Sequence, residues 1–348
     1  MDGASKTAAF AAGEKGQKGM RAGWQRWTGA ICILLCAVEM ACAGDKKAEP
    51  AQPFVSSTML PGAETGALPS DAGPAATINA ARAMQYTKEV TAFGPRPVGS
   101  ASHKKLEQYI VGKLRGDKVE DDAFTADTPA GKFPVRNILA KYQGTKDGII
   151  VIAGHYDTNY PLRNTKYVGA NDGGTSTAIL LELANHLRGR KLDGYSVWLL
   201  WTDGEEAMVQ WSATDSLYGT RHLAEKWEKD GTLKKIKAFL LADMIGDADL
   251  NIDHDTNSTP WLESMVLEAA TRLGYQSHFF QREVGIDDDH VPFVRLGVPC
   301  ADLIDLDYGY GNVFHHTPQD TLDKLSPKSL EIVGNVILET VRLVNATR

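Results

Sequence analysis

The sequence predicts an α/β fold, a three-layer sandwich whose central sheet is mixed but mostly parallel, with helices on both faces. Two observations carry that expectation. Apolar runs of strand length recur along the chain, and segments of helix length and helix period separate several of them, the alternation that builds parallel sheets. Polar residues of metal-ligand type stand directly after those runs, where the carboxyl edge of such a sheet gathers ligands. With 348 residues, 43% of them hydrophobic, the chain can bury a core of ordinary size, and one large domain fits better than two small ones.

The first residues are not expected to belong to the fold. From Met20, an alternative start, Arg21 and Arg26 precede the apolar run AICILLCAV, Ala30 to Val38. That run is too short to span a bilayer but suits the core of a secretory signal. Ala41-Cys42-Ala43 fits a small-x-small cleavage site, which would leave Gly44 first. Cys42 also reads as a lipid-modified residue, although Glu39 stands where such signals usually carry Leu. Residues 1–43 are therefore expected to be a signal peptide or lipoprotein leader, and the protein to be exported to the periplasm or cell envelope. The ordinary alternative is a cytoplasmic tail. Residues 44–75, rich in Pro, Ala, Gly and Ser, read as a flexible linker, and residues 76–348 as a single catalytic domain.

Within that domain, Ala76 to Val90 is expected to be helical, GPRPVGS to break the helix, and Ala101 to Leu114 to form the next, capped by Ser100 or Ser102. Strand-like runs follow at VRNILAKY, GIIVIAG, YSVWLLW, IKAFLLAD and PCADLI. Helical runs lie between several of them at STAILLELANHL, SLYGTRHLAEKW and PWLESMVLEAATRL, and a last helix is expected from Ser329 to Val344. No internal repeat is present.

Composition excludes little but helps. The net charge of -7 argues against a nucleic-acid partner. Of the four cysteines, Cys32, Cys36 and Cys42 precede Gly44, so Cys300 is left without an intrachain partner, and its apolar surroundings in GVPCADLI suggest a buried, inert thiol.

The polar residues at the strand ends are His155, Asp157, Asp203, Glu205, Glu206 and Asp243, with Asp172 before a helix and His315 and His316 in a late loop. Singly, each has an ordinary reading: an Asp before a helix is usually an N-cap, and a His in a loop is usually solvated. Together His155, Asp172, Glu206, Asp243 and His316 form a nitrogen and oxygen donor set suited to zinc. The clustered Asp247, Asp249, Asp253, His254 and Asp255 read as a solvated loop. No chemistry is assigned to His103, His186, His222 or His278.

These motifs resemble a known family. HYDT at 155–158, GANDGG at 169–174, DGEEA at 203–207, DMIG at 243–246 and HHT at 315–317 are similar to the metal motifs of the bacterial zinc aminopeptidase-like family. A narrower resemblance is to the glutaminyl-peptide cyclotransferases of that fold, carried by DGEEAMVQWSATDSLYGTRHLAEK at 203–226 and DDDHVPFVRLGVP at 287–299, and it extends from about Ala76 to the C-terminus. It implies a fold of the zinc aminopeptidase type and one Zn2+ held by Asp172, Glu206 and His316. It further implies Glu205 as general acid/base, Asp243 and Asp288 in a hydrogen-bond network beside it, and Trp211 and His315 at the substrate pocket. The implied substrate is the N-terminal glutamine of a peptide or protein, closed to pyroglutamate with release of ammonia; a membrane would be met only through a lipid at Cys42.

Two positions depart from the family's pattern. His315 stands where the family often has Trp, and Asp302 where animal cyclases have His. The alternative is a zinc aminopeptidase with two zincs, in which His155 and Asp243 hold the second metal and Asp172 bridges. A non-enzymatic binding domain on the same scaffold would be marked by a lost Glu205 or ligand, and none is lost.

Overall fold

The computed structural model describes residues 76–347. The expected leader, with Cys42 and the cleavage site, and the expected linker lie outside the described residues.

Asn79 caps the first helix, α1 (Ala80–Thr91), by accepting the N–H of Arg82. The helix therefore starts four residues later than its period suggests. Ser100, rather than Ser102, caps α2 (Ala101–Lys113), accepting the N–H of His103. A hairpin follows, β1 (Val119–Thr128) against β2 (Gly131–Tyr142), and then β3 (Ile149–His155), α3 (Gly174–Leu187), β4 (Ser196–Thr202), α4 (Tyr218–Asp230) and β5 (Ile236–Asp243). The remainder comprises β6 (Ile252–Asp255), α5 (Pro260–Leu273), β7 (Phe279–Val284), the single turn α6 (Val291–Val294), β8 (Cys300–Ile304) and α7 (Pro327–Ala346).

Six strands form the main sheet in the order β1-β2-β4-β3-β5-β8. β4, β3, β5 and β8 run parallel to one another, while β2 pairs antiparallel with both β4 and β1. The sheet is thus mixed and mostly parallel, as expected. Its period-two alternation sorts side chains into two cores. Ile150, Ile152, Leu199, Trp201, Ala238 and Leu240 pack with α1, α2, α3, α5 and α7. Ile149, Val151, Ala153, Leu200, Phe239 and Leu241 pack with Leu223 and Trp227 of α4 and Phe293 of α6. Every residue of β3 is buried, which is why GIIVIAG reads as a continuous apolar run.

Two features depart from the sequence expectation. β1, VEDDAFTADT, is an edge strand with only Asp122 and Ala126 buried, so it carries the charges that protect a sheet edge and lacks an apolar signature. The segment expected to be a solvated loop contains β6, which pairs with β7 in a small parallel sheet. Asp247, Asp253 and Asp255 are buried there. Arg282 donates two hydrogen bonds to Asp253, at 2.7 and 2.6 Å, and Asp255 accepts the N–H groups of Asn257 and Ile286. Pairing with an arginine and with backbone donors makes this burial tolerable. Asp249 remains exposed.

Candidate metal centre and its cleft

The carboxyl ends of β3, β4 and β5 lie side by side and bring the strand-end residues together. After β4, Gly204 at φ +64° supplies the left-handed turn that sends Glu205 and Glu206 away from the strand. Their backbone is fixed from two sides. Asp157, just beyond β3, accepts the N–H of Glu205 at 3.2 Å on one oxygen and that of Glu206 at 3.3 Å on the other. Leu217, itself at φ 53°, donates its N–H to the Glu205 carbonyl at 2.8 Å.

Glu206 points toward the late loop. His316 Nε2 lies 3.0 Å from Glu206 Oε1 and 3.2 Å from Asp172 Oδ2. Neighbouring ligand atoms around a tetrahedral zinc stand about 3.3 Å apart, so these contacts have the spacing of a coordination shell. Asn159 Nδ2 donates to the other Glu206 oxygen at 2.8 Å, and the Tyr167 hydroxyl donates to Asp172 Oδ2. Such outer hydrogen bonds orient metal ligands. Asp172 does not cap α3, whose N-cap is Gly173; its carboxylate faces His155 and His316 instead. His316 sits at φ 51°, a strained conformation for a non-glycine residue of the kind that clusters at functional sites.

Asp172 belongs to two groups of donors whose atoms all lie within 4.8 Å of one another. One comprises Asp172, His315 and His316, the other His155, Asp172 and Asp243. Glu206 joins through His316. In the second group His155 Nε2 is 3.0 Å from Asp172 Oδ1 and 3.1 Å from Asp243 Oδ1. Asp243 Oδ1 also accepts the Ser176 hydroxyl at 3.1 Å and the Met244 N–H at 2.8 Å.

The field at this edge is strongly negative. Burial alone would lower the pKa of His316, but the charge of Glu206 and the hydrogen bonds to Asp172 and Glu206 carry it to about 11. His155 is likewise held well above its ordinary value, the nearby carboxylates of Asp243, Asp157 and Asp172 outweighing burial. Glu205 is pushed well above the ordinary glutamate range by burial, against the pull of His155 and with the help of Glu206, Asp288 and Asp289. Asp288 moves the same way through burial and the charges of Asp243 and Asp289. Two roles thus separate along one dipeptide: Glu206 faces the donor group, and Glu205 faces a set of buried acids.

A cleft of about 380 Å³ opens over both glutamates and is lined by Asp172, Asp243, Met244, Asp288, Trp211, His315 and His316 among others. Trp211 is 37% exposed, a wall rather than core. His315 Nδ1 accepts from Asn312 Nδ2 at 3.0 Å, and its Nε2 lies 3.8 Å from Asp172 Oδ2. Burial lowers its pKa, so it presents a neutral imidazole to the cleft.

Sequence reasoning missed two supports. Arg96, wholly buried in the GPRP turn, donates to the carbonyls of Tyr156, Val168, Gly169 and Asp172 and so clamps the segment carrying Asp172. Asp320 accepts the N–H groups of Asn171 and Asp172 and the Tyr308 hydroxyl. Arg96 has no signal beyond its place between two prolines; Asp320 stands in HHTPQD, four residues after His316, and that nearness is its signal.

Comparison with known proteins agrees with this geometry. Residues 137–341 match the model of peptidase family M28. A glutaminyl-peptide cyclotransferase of Drosophila melanogaster is 34% identical over 253 residues, which cover 65% of this chain and 70% of the relative. The chain belongs to the glutaminyl-peptide cyclotransferases of family M28. Among solved structures, the glutaminyl cyclase of an Acidobacteriales bacterium is 52% identical, covers 80% of this chain and 98% of its own, and superposes with a TM-score of 0.77. A Zn-dependent exopeptidase from Parabacteroides distasonis is 25% identical, with 77% and 99% covered and a TM-score of 0.69. A glutaminyl cyclase and a Zn-dependent exopeptidase therefore share this fold, and it is the identity that places the chain among the cyclases.

Proposed function

We propose that this protein is a zinc-dependent glutaminyl-peptide cyclotransferase that closes the N-terminal glutamine of peptides or proteins to pyroglutamate and releases ammonia. The 52% identity to a bacterial glutaminyl cyclase over nearly the whole of that chain carries the reading. Asp172, Glu206 and His316 would hold one Zn2+, because their contacts have ligand spacing and their carboxylates lack any lysine or arginine partner among the described residues. When bound, zinc supplies a Lewis acid at the γ-amide oxygen of the substrate. Glu205 takes a proton from the α-amine as its nitrogen attacks the γ-amide carbon. It then returns that proton to the departing amide nitrogen, which leaves as ammonia. Burial raises the proton affinity of Glu205, as this exchange requires. Asp243 and Asp288 stand beside it in the cleft and would help hold the shuttled proton, and Trp211 and His315 border the glutamine side chain.

One zinc, rather than the two of an aminopeptidase, is supported by Asp243 Oδ1, which already accepts from Ser176 and Met244 and meets His155. Elemental analysis should give close to one zinc per chain; two tightly held ions would favour the aminopeptidase. Product analysis with a Gln-initiated peptide tests the reaction itself. A cyclase releases ammonia and leaves the chain intact, whereas free glutamine with a shortened chain would refute the reading. We further propose export, with the basic residues and apolar run before Ala41 as leader; the N-terminal mass of the cell-envelope protein tests this, beginning at Gly44 after simple cleavage and at a lipid-bearing Cys42 if anchored.

A further inference from the structure

The loop that walls the cleft is gathered by a residue to which the reaction as described assigns no part. Between Glu206 and α4, residues 209–214 are all exposed, and buried Met208 and Asp215 stand at the two ends of that stretch. Met208 packs with Val98, Val135 and Tyr218 in a small core of its own. Asp215 Oδ1 accepts the N–H of Met208 at 2.9 Å and the Tyr218 hydroxyl at 2.7 Å, and its Oδ2 accepts the N–H groups of Val209 and Gln210, each at 2.9 Å. Three successive backbone donors thus converge on one carboxylate, and among the described residues they meet no other acceptor. The Asp215 N–H donates to the Ser212 carbonyl at 3.1 Å and closes the loop from within. No lysine, arginine or histidine pairs with Asp215 among the described residues, so neutral donors alone offset the burial of its charge. Burial raises the pKa of this carboxyl, but the N–H groups and the Tyr218 hydroxyl outweigh it and hold the group below its usual range.

Gln210 is followed directly by Trp211, whose partly exposed ring lines the cleft. Trp198 and Trp227 are fixed by each other, edge to face with centroids 5.6 Å apart, and Trp201 by donating its Nε1–H to the Thr177 carbonyl at 3.3 Å. Trp211 has neither a hydrogen bond nor a ring pair among the described residues. Its place over the cleft therefore follows from the backbone that carries it, and that backbone is held by Asp215. We propose that Asp215 is a positioning residue for substrate binding: by holding the N–H groups of Met208, Val209 and Gln210 it fixes Trp211 as a wall of the glutamine pocket before substrate arrives. A wall fixed in advance spares the substrate the cost of ordering a loop. The inference rests on the cyclase reading for the identity of the substrate; the parent enzyme's product settles that reading without any variant, so failure of one is distinguishable from failure of the other.

The test uses the full chain with zinc bound and compares Asp215→Asn, which keeps the size of the side chain but turns an amide NH2 toward backbone donors, with Trp211→Ala and the double variant. Val209 and Gln210 are exposed, so water can satisfy their freed N–H groups and the fold should survive. For each protein, kcat and KM on a Gln-initiated peptide and zinc content are measured below the thermal midpoint. Asp215→Asn should raise KM by about three- to tenfold, no more than loss of the ring itself does, while kcat stays within about twofold and zinc at the parent level. Residues acting through one another are not additive, so in the Trp211→Ala background the same substitution should change KM by less than about twofold. Should Asp215→Asn fail to fold, Asp215→Ser, which also loses the oxygen that holds Val209 and Gln210, carries the same comparison. An unchanged KM would overturn the proposal, as would a double variant whose KM rise is the product of the two single ones. Loss of zinc, or a fall in kcat larger than the rise in KM, would overturn it as well, by placing Asp215 behind the glutamate pair instead of behind Trp211.

Discussion

Two regions of this molecule each combine a histidine with two carboxylates whose donor atoms converge, and they do different things. His103, Glu107 and Asp203 lie between α2 and the end of β4; Asp172, Glu206 and His316 lie at the cleft. In the first region His103 Nε2 meets Asp203 Oδ1 at 2.7 Å, Nδ1 meets Glu107 at 3.3 Å, and the ring stacks on Tyr156. Arg136 completes the group, its guanidinium donating to Glu107 at 3.1 Å and its N–H to Asp203 at 2.7 Å. Positive charge supplied by the protein balances the acids. At the cleft no arginine or lysine among the described residues plays that part, more acids press in from Glu205, Asp243 and Asp288, and the group opens to a cavity. Donor types alone therefore do not mark a metal centre. A shortfall of protein cations beside an accessible cleft is what sets the candidate apart.

Substitutions on each side sharpen that contrast, beginning with the largest effect. His316→Ala should reduce bound zinc from near one per chain to near zero, by elemental analysis, and abolish ammonia release. His103→Gln should leave zinc content unchanged and instead destabilise the fold by about 3 kcal/mol in denaturant titration, the cost of removing one partner from a buried ion pair. The pH dependence of that loss has a defined sign. Burial lowers the pKa of His103, but Asp203 and Glu107 outweigh it and raise the value from 6.5 to about 10. A raised folded-state pKa gives stability that is complete below 6.5 and is lost as pH rises through about 10. The gap between parent and His103→Gln should accordingly narrow between those values. If it stayed constant, His103 would not be charged in the native state.

The smallest effects belong to the cleft walls. Trp211→Ala and His315→Ala should each raise KM by up to about tenfold, less than a proton-transfer residue costs, with zinc content at the parent level. Loss of zinc in His315→Ala would mean that the neighbouring histidines had been assigned in the wrong order, since Asp172 lies near both.

How much of this was legible in the chain follows from where the signals lie. The parallel strands are fully buried runs and announce themselves; β1 is exposed and charged, and β6 is four residues of IDHD, so neither carries an apolar pattern. The strand-end rule collected His155, Asp172, Glu205, Glu206 and Asp243 at one edge without any three-dimensional information. Asp253 and Asp255 were misjudged because acid-rich sequence ordinarily stays in water, and their partners Arg282 and His290 are about 30 residues away. Arg96 was invisible for a related reason: its partners are backbone carbonyls, which leave no trace in sequence.

The division of labour within Glu205-Glu206 is the central claim, and paired isosteric variants test it most directly. Glu205→Gln and Glu206→Gln would be measured side by side for bound zinc and for ammonia released from a Gln-initiated peptide. Glu205→Gln should keep its zinc while turnover falls by roughly a hundred- to ten-thousand-fold, as for a general acid/base group, and Glu206→Gln should lose zinc and activity together. Glu205→Gln without zinc, alongside a zinc-loaded Glu206→Gln, would contradict the account.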